Sequence, residues 1–244
     1  MFAESPFNYA YKGLDIYRYD HFLENALESS GEHSCDTAPS WDFYKLAPGE
    51  YEKILDGYDV IVFSDVKLKI FQLAPQFFDR IKFGSRVLTY PDRVRLTVEA
   101  VRGGKRVMFL GGWLSFTGAM GKGGWNRSGL KEILPVRCLD YEDLVESTEG
   151  FTARREDAGF CPHVDFSDFP PILGYNKTLP RKEASIHLAV KETGDPLMST
   201  LRYGKGTTLA YTSDPAPHWG CNFIYWSRYN DFWLACLDYL MRLR

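Results

Sequence analysis

Tyr58-Asp59-Val60-Ile61-Val62-Phe63-Ser64-Asp65 is a continuous β-branched and aromatic run closed by a polar pair. Consecutive apolar side chains cannot alternate between core and water, so the run reads as a strand covered on both faces, the habit of parallel sheets. Downstream, Lys105-Arg106-Val107-Met108-Phe109-Leu110 repeats the pattern. Between the two, Pro91 opens a helix in which Val94, Val98 and Val101 fall on one face, and Gly103-Gly104 ends it. A strand, a helix and a strand in that order make a right-handed crossover, which predicts an α/β fold with a mainly parallel sheet.

Upstream of this unit, Phe22, Leu23, Ala26 and Leu27 recur at helical spacing, with Asp20 as N-cap and Gly31 as the stop. A short extended piece over 35–38 and a helix from 49 to 55, ending at Gly57, lead into the first strand. The stretch 66–90 contains Pro75 and no clean period, so it reads as irregular with one short helix. A short helix from 126 is stopped by Pro135, a strand is expected over 136–139, and 151–171, with Pro162, Pro170 and Pro171, reads as a long loop. Strands follow over 186–190, 197–201 and 207–212, the last two joined by a hairpin turn at Tyr203-Gly204-Lys205-Gly206. A final helix from about 223 carries an apolar stripe at Tyr229, Trp233, Cys236 and Leu240. No repeat and no linker interrupts this order, so a single domain over 1–244 is expected.

The charge balance, 29 Lys+Arg against 32 Asp+Glu in 244 residues, excludes binding of nucleic acid through a general basic surface, and no charge block marks a disordered tail. Hydrophobic content of 45%, of which much is aromatic, is enough to fill a core. The N-terminus has neither a basic start nor an apolar run of the signal-peptide kind. The longest uncharged apolar stretch, 107–121, is broken by Gly111, Gly112 and Gly118 and is shorter than the ~20 residues a membrane helix needs. The five cysteines are odd in number, scattered and without C-x-x-C, which fits reduced thiols in a cytoplasm. The close pairs His33/Cys35 and Cys161/His163 read as incidental, so no metal is expected, and neither is a cofactor or a membrane partner.

Ligands of open α/β sheets bind beyond the carboxyl ends of the strands. Three such ends carry polar content: Ser64-Asp65, Gly111-Gly112-Trp113-Leu114-Ser115-Phe116, and Ser213-Asp214-Pro215-Ala216-Pro217-His218-Trp219-Gly220. Capping of turns explains Asp65 and Asp214 equally well. A Gly-Gly turn after a strand can present a nucleophile, and Ser115 is in range for that part, with His218 as base and Asp214 as its orienter. The elbow pattern G-x-S-x-G is not matched, because Leu114 and Phe116 flank Ser115. The run Gly118-Ala119-Met120-Gly121-Lys122-Gly123-Gly124 fails the spacing of a phosphate loop and reads as a mobile flap or a flexible loop.

Taken together, YDVIVFSD, GGWLSFTG, LPVRCLDYED, LGYN, GDPLM, YGKG and TSDPAPHWG, in this order, resemble a family of glutamine amidotransferase-like proteins, bacterial and cytoplasmic, over nearly the whole chain from Lys12. The resemblance implies the class I glutamine amidotransferase fold, a flavodoxin-like three-layer α/β/α sandwich. It also implies a nucleophilic cysteine on a G-x-C-x-G elbow, but laying that elbow on residues 111–115 puts Trp113 at the cysteine position, and an indole cannot attack a carbonyl. His218 follows a late strand, where the family's histidine would be, without the H-x-E pattern, and Cys221 is a substitute thiol to weigh.

The leading expectation is a protein that lacks the cysteine nucleophile and binds a small polar metabolite or a partner in a crevice bounded by Glu4, Asp65, Gly112, Trp113, Ser115, Asp214, His218 and Trp219. The tryptophans would stack on a flat face and the carboxylates would accept hydrogen bonds from hydroxyls. A second reading is a hydrolase or amidotransferase using Ser115 or Cys221 with His218, and a third is a structural protein whose aromatic surplus forms a homo-oligomer interface. Only three residues precede Glu4, where a first buried strand should run into the crevice, so that strand is expected to be truncated or the natural start to lie upstream.

Overall fold

The computed structural model describes residues 2–3, 18–47, 49–74, 81 and 91–243. In chain order the elements are β1 (Phe2–Ala3), α1 (Asp20–Glu28), β2 (Ala38–Pro39), α2 (Ser40–Lys45), α3 (Glu50–Gly57), β3 (Val60–Ser64), α4 (Leu68–Gln72), α5 (Arg93–Gly103) and β4 (Arg106–Leu110). The second half brings β5 (Val136–Cys138), β6 (Leu144–Phe151), β7 (Ala153–Arg155), β8 (Ile172–Asn176), β9 (Thr178–Pro180), β10 (Ser185–Val190), β11 (Pro196–Tyr203), β12 (Gly206–Tyr211) and α6 (Tyr229–Arg242).

The two apolar runs form adjacent parallel strands at the centre of an eight-stranded sheet, in register from Val60↔Arg106 to Ser64↔Leu110. The order is β2-β1-β3-β4-β12-β11-β10-β7, parallel from β2 to β12 and antiparallel from β12 to β7. The expected mainly parallel sheet is therefore a mixed one, because the hairpin at Tyr203↔Gly206 reverses the chain and the next strands out follow the same meander. The short first strand is β1, seated between β2 and β3; Glu4 lies outside the described residues.

Successive residues of a strand face opposite sides of the sheet, and the two sides feed separate cores. Val62, Met108, Leu110, Leu209 and Tyr211 join Leu23, Ala26 and Leu27 of α1 and Trp233, Cys236 and Leu240 of α6. Ile61, Phe63, Val107 and Phe109 join Phe43 of α2, Tyr51 and Leu55 of α3, Phe71 of α4 and Val94, Val98 and Val101 of α5. Phe63 and Phe109 are fully buried, and burial of such a side chain stabilises the fold by roughly 1.5–3 kcal/mol. Helix α5 starts at Arg93, two residues after the expected Pro91, with the Asp92 carboxylate as N-cap accepting the N–H of Arg95 at 2.9 Å, and it stops at Gly104, whose φ is 127°.

Three expectations differ. The final helix begins at Tyr229, after a single 3₁₀ turn at Phe223–Tyr225. The stretch 126–134 is a pair of 3₁₀ turns rather than an α-helix. Finally, the polar stretch Leu144–Phe151 is a strand that pairs antiparallel with Ile172–Asn176 in a ribbon outside the main sheet, and Ala153–Arg155 is the edge strand of that sheet, so the loop expected over 151–171 is shorter. The ribbon is what completes the site.

Candidate functional site

Strands β3, β4 and β12 end side by side, and each hands the chain to a polar turn. Asp65 follows β3 in a left-handed conformation, φ 53°. After β4, Gly112 turns at φ 137°, and a Cβ there would stand 2.4 Å from Asp65 Oδ1 and 2.7 Å from Asp214 Oδ1. Only glycine fits, and its smallness is what lets two carboxylates from two different strand ends converge over this turn.

Four backbone N–H groups of the turn and the residues just after it are answered by side chains. Gly112 N–H donates to Asn176 Oδ1 at 2.9 Å and Leu114 N–H donates to Asp65 Oδ1. Thr117 and Gly118 N–H both donate to the Asp143 carboxylate at 2.9 Å, and Asn176 Nδ2 donates to the same group at 2.9 Å. Burial pushes the Asp143 carboxyl above the usual carboxylate range, against the pull of these donors. Asn176, at the end of β8, is fully buried and ties Gly112 to Asp143.

The glycine run that follows is packed against this turn. Gly118, at φ 72°, has the Trp113 carbonyl 2.6 Å from where a Cβ would stand, Ala119 N–H donates to the same carbonyl at 2.7 Å, and Gly123 O accepts from Leu68 N–H at 2.8 Å. The expectation of a mobile flap is corrected accordingly: these glycines allow close backbone approach.

On the other side of the turn, Asp214 is nine-tenths buried, and its Oδ2 accepts from the His218 ring at Nδ1 (2.9 Å) and from Trp219 N–H (3.3 Å). Burial pushes the Asp214 carboxyl up. Burial also pulls the His218 imidazole down, but the hydrogen bond and charge of Asp214, with the charge of Glu146, outweigh it, so His218 holds its proton more tightly than an ordinary histidine. No described residue hydrogen-bonds His218 Nε2, and 38% of the side chain is exposed.

Sequence reasoning missed Glu146. Its place follows from the ribbon: Glu146 stands opposite Gly174 in the β6–β8 register, and because Gly174 has no Cβ the Trp219 indole lies directly over it. Both Trp113 Nε1–H (3.0 Å) and Trp219 Nε1–H (2.7 Å) then donate to Glu146 Oε1. The Trp113 ring lies against the His218 ring, centroids 4.7 Å apart, and remains 39% exposed. No local motif marks Glu146, whereas Asn176 and Asp143 sit inside the LGYN and LPVRCLDYED segments.

The structure thus brings Asp65, Gly112, Trp113, Asp214, His218 and Trp219 together around the turn after β4. Ser115 and Trp219 have other tasks than expected. Ser115 is fully buried and its hydroxyl donates to the Leu110 carbonyl at 2.6 Å, so it staples the end of β4 and presents no nucleophile. Trp219 is 2% exposed and has no face to offer a ligand; it anchors Glu146. Cys221 is a half-buried free thiol with no hydrogen bond to His218. Among the described residues no group of three or more His, Cys, Asp or Glu is placed to hold a metal ion, and no helix is long and apolar enough to cross a membrane.

Residues 8–242 match the family described as "Putative glutamine amidotransferase". The chain belongs to this family. Its fold is shared with the cytoplasmic protein STM1381 of Salmonella typhimurium LT2, at 29% identity over 98% of both chains and a TM-score of 0.83. It is also shared with the cytoplasmic protein STM3548 of Salmonella typhimurium, at 29% identity over 98% of this chain and 97% of that one, TM-score 0.82. A more distant likeness in fold alone is to a ThuA-like protein of Parabacteroides merdae, at 12% identity over 99% of this chain and 88% of that one, TM-score 0.50. No protein of curated function matches the chain significantly. The turn after β4 carries Trp113 between two N–H groups already bonded to Asn176 and Asp65.

Proposed function

We propose that this glutamine amidotransferase-like protein is a cytoplasmic binding protein for a small polar metabolite, with the family's three-layer, flavodoxin-like frame and without its covalent chemistry. The observation that carries this reading is the state of the turn after β4. Acyl transfer needs a nucleophile and a pair of free N–H donors for the oxyanion. At this turn an indole occupies the first role, and the N–H groups on either side of it are consumed by Asn176 Oδ1 and Asp65 Oδ1. Freeing them would break one buried and one partly buried hydrogen bond, the buried one at a cost of about 1–3 kcal/mol.

What remains is suited to recognition. Trp113 offers a fixed, exposed aromatic face beside the Glu146 carboxylate and His218 Nε2, the arrangement of a flat apolar surface with a few placed polar groups that small ligands use. The cytoplasmic assignment follows the two Salmonella relatives, which are described as cytoplasmic proteins.

A thermal-shift screen of neutral, cationic and anionic metabolites tests the reading. A ligand at 100 times its Kd raises the unfolding free energy by about 2.7 kcal/mol. The expected result is a stabilising ligand whose effect is lost in Trp113→Ala. A ligand that stabilises wild type and Trp113→Ala equally places the binding site elsewhere.

A further inference from the structure

The Glu146, Asp214 and His218 group, beside the Asp65 carboxylate over Gly112, has an unbalanced charge. Two carboxylates, Glu146 and Asp214, face one imidazole, so the group stays negative even when His218 carries its proton. Among the described residues no lysine or arginine hydrogen-bonds or ion-pairs with Glu146, Asp214 or His218.

Each carboxylate has one oxygen committed and one open. Glu146 Oε1 is taken by the two indole N–H groups, while Oε2 accepts no hydrogen bond from a described residue. Asp214 is nine-tenths buried, and its Oδ2 is taken by His218 and Trp219 while Oδ1, over Gly112, accepts no hydrogen bond from a described residue. Asp214, withdrawn from water, demands a donor or a cation at its open oxygen, whereas Glu146 is exposed and keeps its second oxygen in water.

Resting on the crevice being the binding site proposed above, we infer that its ligand is an organic cation, an amine or ammonium group seated on the exposed face of Trp113 beside Glu146 and Asp214. Tryptophan is the aromatic side chain that attracts a cation most strongly. Its ring is already held by the bond to Glu146 and by the His218 ring, so the ligand does not have to order it. An anionic ligand, the α-carboxylate of glutamine included, would meet the Glu146 and Asp214 carboxylates with His218 alone to offset them among the described residues. A neutral sugar could stack on Trp113 and donate its hydroxyls to the open oxygens, but it would bring no charge to offset the carboxylates.

The test follows the Trp113 and Trp219 Nε1–H signals by nitrogen-edited NMR during titration at low salt with choline, methyl glucoside or glycerol phosphate. Choline is expected to shift both signals saturably, and added sodium chloride to weaken its binding. Glu146→Gln keeps an oxygen for the indoles and removes the charge, and it should weaken choline by about fivefold or more. Trp113→Ala should weaken it by about threefold to thirtyfold. Saturable shifts with methyl glucoside or glycerol phosphate but not with choline would overturn the cation assignment and leave the crevice as a binding site. Choline binding unchanged in both variants, or no saturable shift with choline, would overturn the inference itself; the thermal-shift screen decides separately whether the crevice binds anything.

Discussion

Replacing Asn176 with leucine, close in shape and without polar atoms, should unlock the turn that carries Trp113. The side chain is fully buried and makes two hydrogen bonds, accepting from Gly112 N–H and donating to Asp143, both at 2.9 Å. Loss of the first leaves a buried N–H without an acceptor, at a cost of about 1–3 kcal/mol, and loss of the second takes one donor from a buried carboxylate, worth about 1.5–3 kcal/mol. Their effects overlap, because both act on one turn, so a destabilisation of about 3–5 kcal/mol is expected. For a chain of this length that lowers Tm by about 10 °C. Urea unfolding of Asn176→Leu against wild type measures it, with an unchanged m-value as the sign that the folded state stays compact. A loss below about 1 kcal/mol would refute the claim that this side chain, and not water, satisfies the Gly112 N–H.

Other outcomes follow from the same geometry. Gly174→Ala would put a Cβ 2.6 Å from Trp219 Nε1, so the Trp219 indole should leave Glu146 and its Nε1–H signal should move upfield; an unmoved signal contradicts the packing. Since the folded-state pKa of His218 is raised, its contribution to stability is full below the ordinary value of about 6.5 and is lost as pH rises through the folded value; a ring-proton titration showing a midpoint at or below 6.5 would contradict the Asp214 pairing. His187 is the opposite case. Burial outweighs Asp157 and lowers its pKa, so its contribution is present above about 6.5 and is lost as pH falls through the folded value, and His187→Gln should flatten the acid limb of the stability profile.

The centre of the sheet was legible because Val60–Ser64 and Arg106–Leu110 have no polar alternation to hide their burial, and because Gly204 marks a hairpin by chain reversal alone. The β6–β8 ribbon was not. Leu144–Phe151 is polar and half-exposed, so its strand character comes from pairing with Ile172–Asn176 and not from its own pattern. Glu146 was lost with it, being an ordinary surface residue until Gly174 and Trp219 are placed around it.

Ser115 was misread for a different reason. A serine after a strand is equally suited to attack a carbonyl carbon or to donate to a carbonyl oxygen, and only the fold shows that the Leu110 carbonyl is within its reach. The glycines of 118–124 likewise carry no label distinguishing freedom from close contact; the Trp113 carbonyl against Gly118 supplies it. The strand ends themselves were found, since a polar residue directly after a buried strand is where a parallel sheet opens.

The most direct test of a capped, indole-bearing turn in place of a working elbow is ammonia release from glutamine by the purified full-length protein. The account predicts a rate equal to that without protein, at any enzyme concentration, and no change on Trp113→Ala. Sustained release that disappears in Ser115→Ala, Cys221→Ala or His218→Ala would contradict it.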